Sequence, residues 1–202
     1  PRRMNFGALR VLNDDRVEAG KGFGTHPHKN MEIISIPLKG KLKHGDSNKN
    51  SRTITIGDIQ TMSAGTGIYH SEMNGSDTEP VEFLQIWVMP EKLNTPPAYR
   101  DYDIRPFLRK NELALIVSPD GDAPAKMLQQ TWFSIGEIEA GKKIGYHMHQ
   151  SHAGVYIFVI EGEVKVDDTV LSRRDGMGVY DTHSFELETL KDSHILQMEV
   201  PM

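Results

Sequence analysis

The 202-residue chain carries 23 basic and 28 acidic residues, for a formal net charge of −5, with 38% hydrophobic and 25% charged residues. That balance fits an ordinary globular protein with room for one large or two small domains, and it excludes the basic footprint of a nucleic-acid or anionic-membrane binder. Cysteine is absent, which rules out disulfides, thiolate metal sites and a cysteine nucleophile, and fits a reducing, cytoplasmic location.

The opening PRRMNFGALR lacks the apolar core of a secretory signal. No apolar run approaches the ~20 residues of a membrane span. From there the punctuation is that of an all-β protein, with Val-, Ile-, Phe- and Tyr-rich runs separated by Gly, Asp and Asn. The predicted strands are FGALRVL (6–12), MEIISIPL (31–38), RTITI (52–56), VEFLQIWVM (81–89), LALIVS (113–118), GVYIFVI (154–160), EVKV (163–166) and HILQMEV (194–200). Turn signals fall at DSNKN (46–50), Gly57-Asp58, Asp167-Asp168 and Asp175-Gly176. KGKLKHG (39–45) reads as the exposed face of a strand. The proline-rich segment 89–107 reads as a connection between halves, with a short helix or two as the only helical expectation, over 97–112.

The halves resemble each other. GTHPHKNMEIISIPLKGKLK (24–43) and GYHMHQSHAGVYIFVIEGEVK (145–165) share Gly-x-His-x-His, a hydrophobic strand ending in Gly, and a Lys-bearing strand. The offset is 121 from His26 to His147 and 122 from Gly40 to Gly162. A nearly constant offset points to duplication of one β unit. The expected domains are therefore 1–105, metal-binding and truncated at its N-terminal edge, and 106–202, a degenerate copy.

Side chains two apart on a strand share a face, so His26 and His28 can reach one ion. Pro27 removes a ladder donor, which suits an edge strand. A lone His-x-His is as readily a pair of surface histidines. SAGTGIYHSEMN (63–74) supplies what a lone pair lacks: His70 and Glu72, again two apart, after glycines that permit a tight turn. Three imidazoles and a carboxylate suit Fe, Mn, Co, Ni, Cu or Zn over Ca or Mg.

HPHKNME together with SAGTGIYHSE resembles the signature of pirin-like bicupin proteins, and NFGALRVLNDD (5–15) and GFGTHPHKNMEI (22–33) extend the likeness. The general cupin pattern is matched by His26, His28, Glu32, His70 and Asn74. In the pirin-like variant the fourth ligand is the glutamate two after the third histidine, here Glu72, which leaves Glu32 and Asn74 second to the metal or structural. The resemblance implies two tandem cupin barrels, each a double-stranded β-helix, and one divalent metal, Fe(II) first, with Ni, Mn, Co, Cu or Zn as alternatives. It also implies quercetin 2,3-dioxygenase-type activity on a flavonol with O2 and release of carbon monoxide, Glu72 serving as general base. The family usually carries a further stretch ahead of the part matching NFGALRVL. A non-enzymatic regulator acting through a protein partner is the alternative, and another cupin chemistry is a third. In the second half His147, His149 and His183 are candidates for a vestigial metal site, with His152 a weaker one; Phe185 stands where a carboxylate would follow.

Overall fold

The computed structural model describes residues 4–202; residues 1–3, part of the opening stretch read above, lie outside the described residues. The chain divides into two compact units. The first holds Leu9–Arg105 and Ala125–Gln129 with the residues up to Asn5, and the second holds Phe6–Ala8, Pro106–Pro124 and Gln130–Met202.

The strands in chain order are β1 (Leu9–Val17), β2 (Gly22–His28), β3 (Glu32–Lys39), β4 (Lys41–Asp46), β5 (Ser51–Thr55), β6 (Asp58–Ser63), β7 (Ile68–Asn74), β8 (Val81–Val88) and β9 (Ala98–Asp103). A 3-10 turn at Arg105–Phe107 precedes β10 (Ala114–Ser118), β11 (Ala125–Lys126), β12 (Trp132–Ile138), β13 (Lys143–His147), β14 (Ala153–Glu161) and β15 (Glu163–Val166). Four more follow: β16 (Thr169–Ser172), β17 (Gly176–Tyr180), β18 (Ser184–Thr189) and β19 (Ser193–Pro201). Among the described residues no helix is long and apolar enough to cross a membrane.

In the first unit β1-β8-β3-β6-β9 form one sheet and β2-β7-β4-β5 the other. In the second unit β10-β12-β19-β14-β17 face β13-β18-β15-β16. The tandem cupin architecture is therefore present, but each unit is a pair of open antiparallel sheets, not a ladder closed on itself. Side-chain packing closes each sandwich instead. Leu42 and Ile54 of one sheet meet Val81 and Phe83 of the other. Val155, Ile157, Val159 and Ile195 meet Val164, Val166 and Leu187 in the second unit.

Two expectations change. The segment 89–107 is not only a connection: Ala98–Asp103 pairs with β6 from Ser63↔Ala98 to Asp58↔Asp103. Its prolines stand before that strand (Pro90, Pro96, Pro97) and after it (Pro106), so no ladder donor is lost. The helical expectation reduces to the single 3-10 turn at Arg105–Phe107.

Candidate metal centre

Local sequence explains why β2 and β7 carry polar residues into the interior. On β7, Ile68, His70, Glu72 and Asn74 are buried while Tyr69 is exposed, the period of a strand with one wet face. β2 is an edge strand beside β7, where the missing N–H of Pro27 is tolerated. Its pairing runs Gly22↔Met73 and Phe23↔Glu72 but resumes at His26↔His70, so one extra residue bulges out of β2 between them. A bulge re-aims the side chains that follow it, and here it sets His26 opposite His70. The turn before β7 needs glycine: Gly65 has φ +46, and a Cβ there would lie 1.9 Å from the Thr95 carbonyl oxygen.

The ligating nitrogens of His26, His28 and His70 all lie within 4.8 Å of one another. His26 Nε2 and His70 Nε2 are 3.0 Å apart. His26 Nδ1 donates to the Gly24 carbonyl at 2.7 Å. A carbonyl only accepts, so Nδ1 carries a proton and Nε2 is the nitrogen turned toward His70. His28 Nε2 is buried without a hydrogen-bond partner. Burial, reinforced by the neighbouring His26, lowers the His28 pKa to about 4. Burial and then His28, His26 and His44 lower that of His70 to about 3. Both rings are therefore neutral at pH 7, the form that ligates a metal. His70 Nδ1 is likewise buried without a partner, and a convergent set of such imidazoles fits a borderline transition-metal ion.

Glu72 stands apart from this triad. It is 1% exposed, and its Oε1 accepts from Ser35 Oγ at 2.8 Å. Its Oε2 accepts from Gln85 Nε2. Burial pushes its pKa up to about 7, against the lowering effect of these two donors. Gln85 Oε1 accepts in turn from Trp87 Nε1 at 2.8 Å, and the indole stands edge-on to His28 with ring centroids 4.9 Å apart. Phe83, Gln85 and Trp87 are thus the inward residues of β8, and Gln60 and Met62 those of β6.

A second polar group lies behind His70. His44 Nε2 donates to Asp46 Oδ2 at 3.1 Å, and Gln60 Nε2 donates to His44 Nδ1 at 3.3 Å. Tyr99 stacks on His44 with centroids 4.2 Å apart and donates its hydroxyl to Gln60 Oε1 at 3.2 Å. His44 and His70 have ring centroids 5.5 Å apart. Sequence reading missed this group along with Ser35, Gln85 and Trp87. The strand KGKLKHG does expose Lys39, Lys41 and Lys43, but its other face buries Leu42 and His44. The available signal was His44 and Asp46, two apart on that alternating strand.

Glu32 faces away from the triad. Its Oε2 accepts from Ser63 Oγ at 2.7 Å, and it takes the Leu128 backbone amide while burial raises its pKa. Asn74 donates to the carbonyls of Val17 and Glu79 at 3.0 and 2.8 Å and accepts from Ser76 N, which ties down a turn. A recess of about 190 Å³ lined by Thr61, Ser63, Arg100, Tyr102, Lys126 and Leu128 also lies on that opposite face.

The second unit does not repeat the cluster. His147 and His183 are exposed. His149 Nδ1 instead meets Glu199 Oε2 at 2.8 Å, its ring stacked on Trp132 with centroids 4.8 Å apart. His152, also exposed, adopts φ 59 in a turn. The β13–β18 ladder runs without a bulge from Lys143↔Glu188 to His147↔Ser184. Tyr146 and Phe185 consequently face inward, with ring centroids 5.5 Å apart, and His147 faces out. Among the described residues, His26, His28 and His70 are the group of three or more candidate ligands close enough to share an ion.

Comparison with known proteins agrees with this architecture. The Pirin family model matches residues 1–88, and a model described as the quercetinase C-terminal cupin domain matches residues 115–200. The quercetin 2,3-dioxygenase of Escherichia coli strain K12 is 38% identical over 206 positions, covering 100% of this chain and 86% of that protein. A putative quercetin 2,3-dioxygenase of Zymomonas mobilis is 36% identical over 205 positions, covering 98% of this chain and 84% of that protein. The crystal structure of an Escherichia coli bacterial pirin in complex with nickel(II) superposes with a TM-score of 0.93 at 36% identity, covering 100% of this chain and 86% of that one.

Proposed function

The chain belongs to the pirin family, and from that premise we propose that it is a metal-dependent dioxygenase that opens a flavonol-type polyphenol with O2. Three imidazoles converging from β2 and β7, with buried nitrogens of His28 and His70 left without a partner, are the observation that supports the reading. The names of the Escherichia coli and Zymomonas mobilis relatives point the same way. We assign His26, His28 and His70 as ligands of one ion, with Glu72 as the fourth, and Fe(II) as the first candidate. Nickel is the ion bound by the Escherichia coli pirin.

When bound, the ion supplies Lewis acidity that lowers the pKa of a substrate hydroxyl and holds the reactants together. The chain's residues supply the rest. Gly24 orients the His26 ring through Nδ1. Glu72, with its pKa near neutrality, is suited to accept the substrate's hydroxyl proton on a carboxylate oxygen while Ser35 and Gln85 hold the group in place. Ile33, Met62, Ile68 and Trp87 form an apolar wall that excludes water from the reacting atoms.

The test is oxygen-dependent loss of quercetin absorbance by the metal-loaded protein. It should disappear with a chelator or with His26→Ala. No turnover with Fe, Ni, Mn, Co or Cu, each verified as bound, would reject the flavonol substrate.

A further inference from the structure

Glu72 sits at the end of a hydrogen-bonded chain whose direction is dictated from outside. The Trp87 indole nitrogen can only donate, so the atom of Gln85 facing it must be the carbonyl oxygen, 2.8 Å away. The amide NH2 of Gln85 is thereby turned toward Glu72 Oε2. Ser35 Oγ donates to the other oxygen at 2.8 Å. Both Glu72 oxygens receive donors, and Gln85 is held in that orientation from both ends, by the Trp87 N–H on its carbonyl and by the Glu72 carboxylate on its NH2. Without the N–H the buried carbonyl is left unpaired, and an amide that turns to find another donor takes its NH2 off Glu72.

The second unit offers an internal control. β14 pairs Ile157↔Gln197 and Val155↔Glu199, while β3 pairs Ser35↔Gln85 and Ile33↔Trp87. Gln197 thus holds the place of Gln85, with Glu199 in that of Trp87. Glu199 is drawn to Tyr146 and His149, and both side-chain polar atoms of Gln197 are buried without a partner. The glutamine alone does not build the chain: here Glu199, Leu187 and Ile157 stand where Trp87, Glu72 and Ser35 do in the first unit.

We propose that Trp87 is a positioning residue of the metal centre, its indole N–H fixing the Gln85 amide in the orientation that places Glu72 for its role beside the imidazole triad. The inference rests on the assignment of Glu72 and the three histidines as a metal site. Trp87→Phe keeps an aromatic edge against His28 and removes only the N–H, and Gln85→Leu breaks the same chain one link further in.

The chain has two tryptophans, so the indole region of an ¹⁵N-labelled spectrum holds two signals, assigned with Trp132→Phe. Gln85→Leu should move the Trp87 indole proton upfield and leave that of Trp132 in place. Zn(II) affinity, measured by chelator competition, should fall about tenfold in Trp87→Phe and equally in Gln85→Leu. The double variant should fall no further, because both changes break one chain. Wild-type affinity in both single variants, or additive losses in the double, would overturn the inference while leaving the metal site standing. A wild-type protein that binds no Zn(II), Ni(II) or Fe(II) would overturn the metal site and the inference with it.

Discussion

The two units carry the same Gly-x-His-x-His strand, yet one turns its histidines inward and the other does not. The difference is one residue of register. In β2 the bulge between Phe23 and His26 shifts the parity, so that His26 and His28 face His70. In β13 the ladder is regular, and Tyr146 takes the inward place while His147 points out. A metal cluster thus depends on backbone irregularity as much as on residue type, since a slip of one position exchanges the faces of a strand.

The sharpest way to break this comparison is to replace His26 and His28 together with alanine, which leaves β2, like β13, without an inward imidazole. Metal content by elemental analysis should fall from one ion per chain to near none, with the β fold retained by circular dichroism. Next in size, His70→Ala should weaken metal binding by more than about 100-fold, beyond the range of outer-shell changes. Replacing His147, His149 and His183 together with alanine should leave stoichiometry unchanged. If the ion were lost only from this triple variant, the assignment to the first unit would be wrong.

A third test uses protons. Glu72 must be ionised to ligate, and its pKa in the metal-free fold is raised to about 7. Below that value protons compete with the ion, so Kd should rise about tenfold per pH unit as pH falls. The slope should steepen further near pH 4, where His28 protonates. Glu72→Gln should bind more weakly and show a shallower slope than the wild type between pH 7 and 5. The smallest effect is expected in the second unit. Tyr146→Phe removes a 2.8 Å donor to the fully buried Glu199 and should cost about 1–3 kcal/mol in denaturant unfolding with metal binding intact.

Much of the architecture was legible because it is written in short-range patterns. Alternation on VEFLQIWV and IYHSEMN, the Gly-x-His-x-His repeat and the turn glycines are all local. The edge position of β2 was readable from Pro27. What escaped depends on pairing. The bulge has no residue signature in GFGTHPH beyond two glycines, so His147 looked equivalent to His26. β9 was hidden because the prolines around Ala98–Asp103 outweigh six residues of weak alternation. Ser35, Gln85 and Trp87 are separated from Glu72 by 13 to 37 positions along the chain. Only the β3–β8 register brings them to its carboxylate.

The place of β2 at the rim of its sheet has one more consequence. A rim strand frays more readily than an interior one, and this strand bears two of the three clustered imidazoles while the third sits on its neighbour. An ion shared among them would act as a clasp across the fraying seam. Amide exchange of Phe23 to His28 should then slow on loading, far more than that of the interior strand β3, and loss of the ion should begin as a local unzipping of this rim.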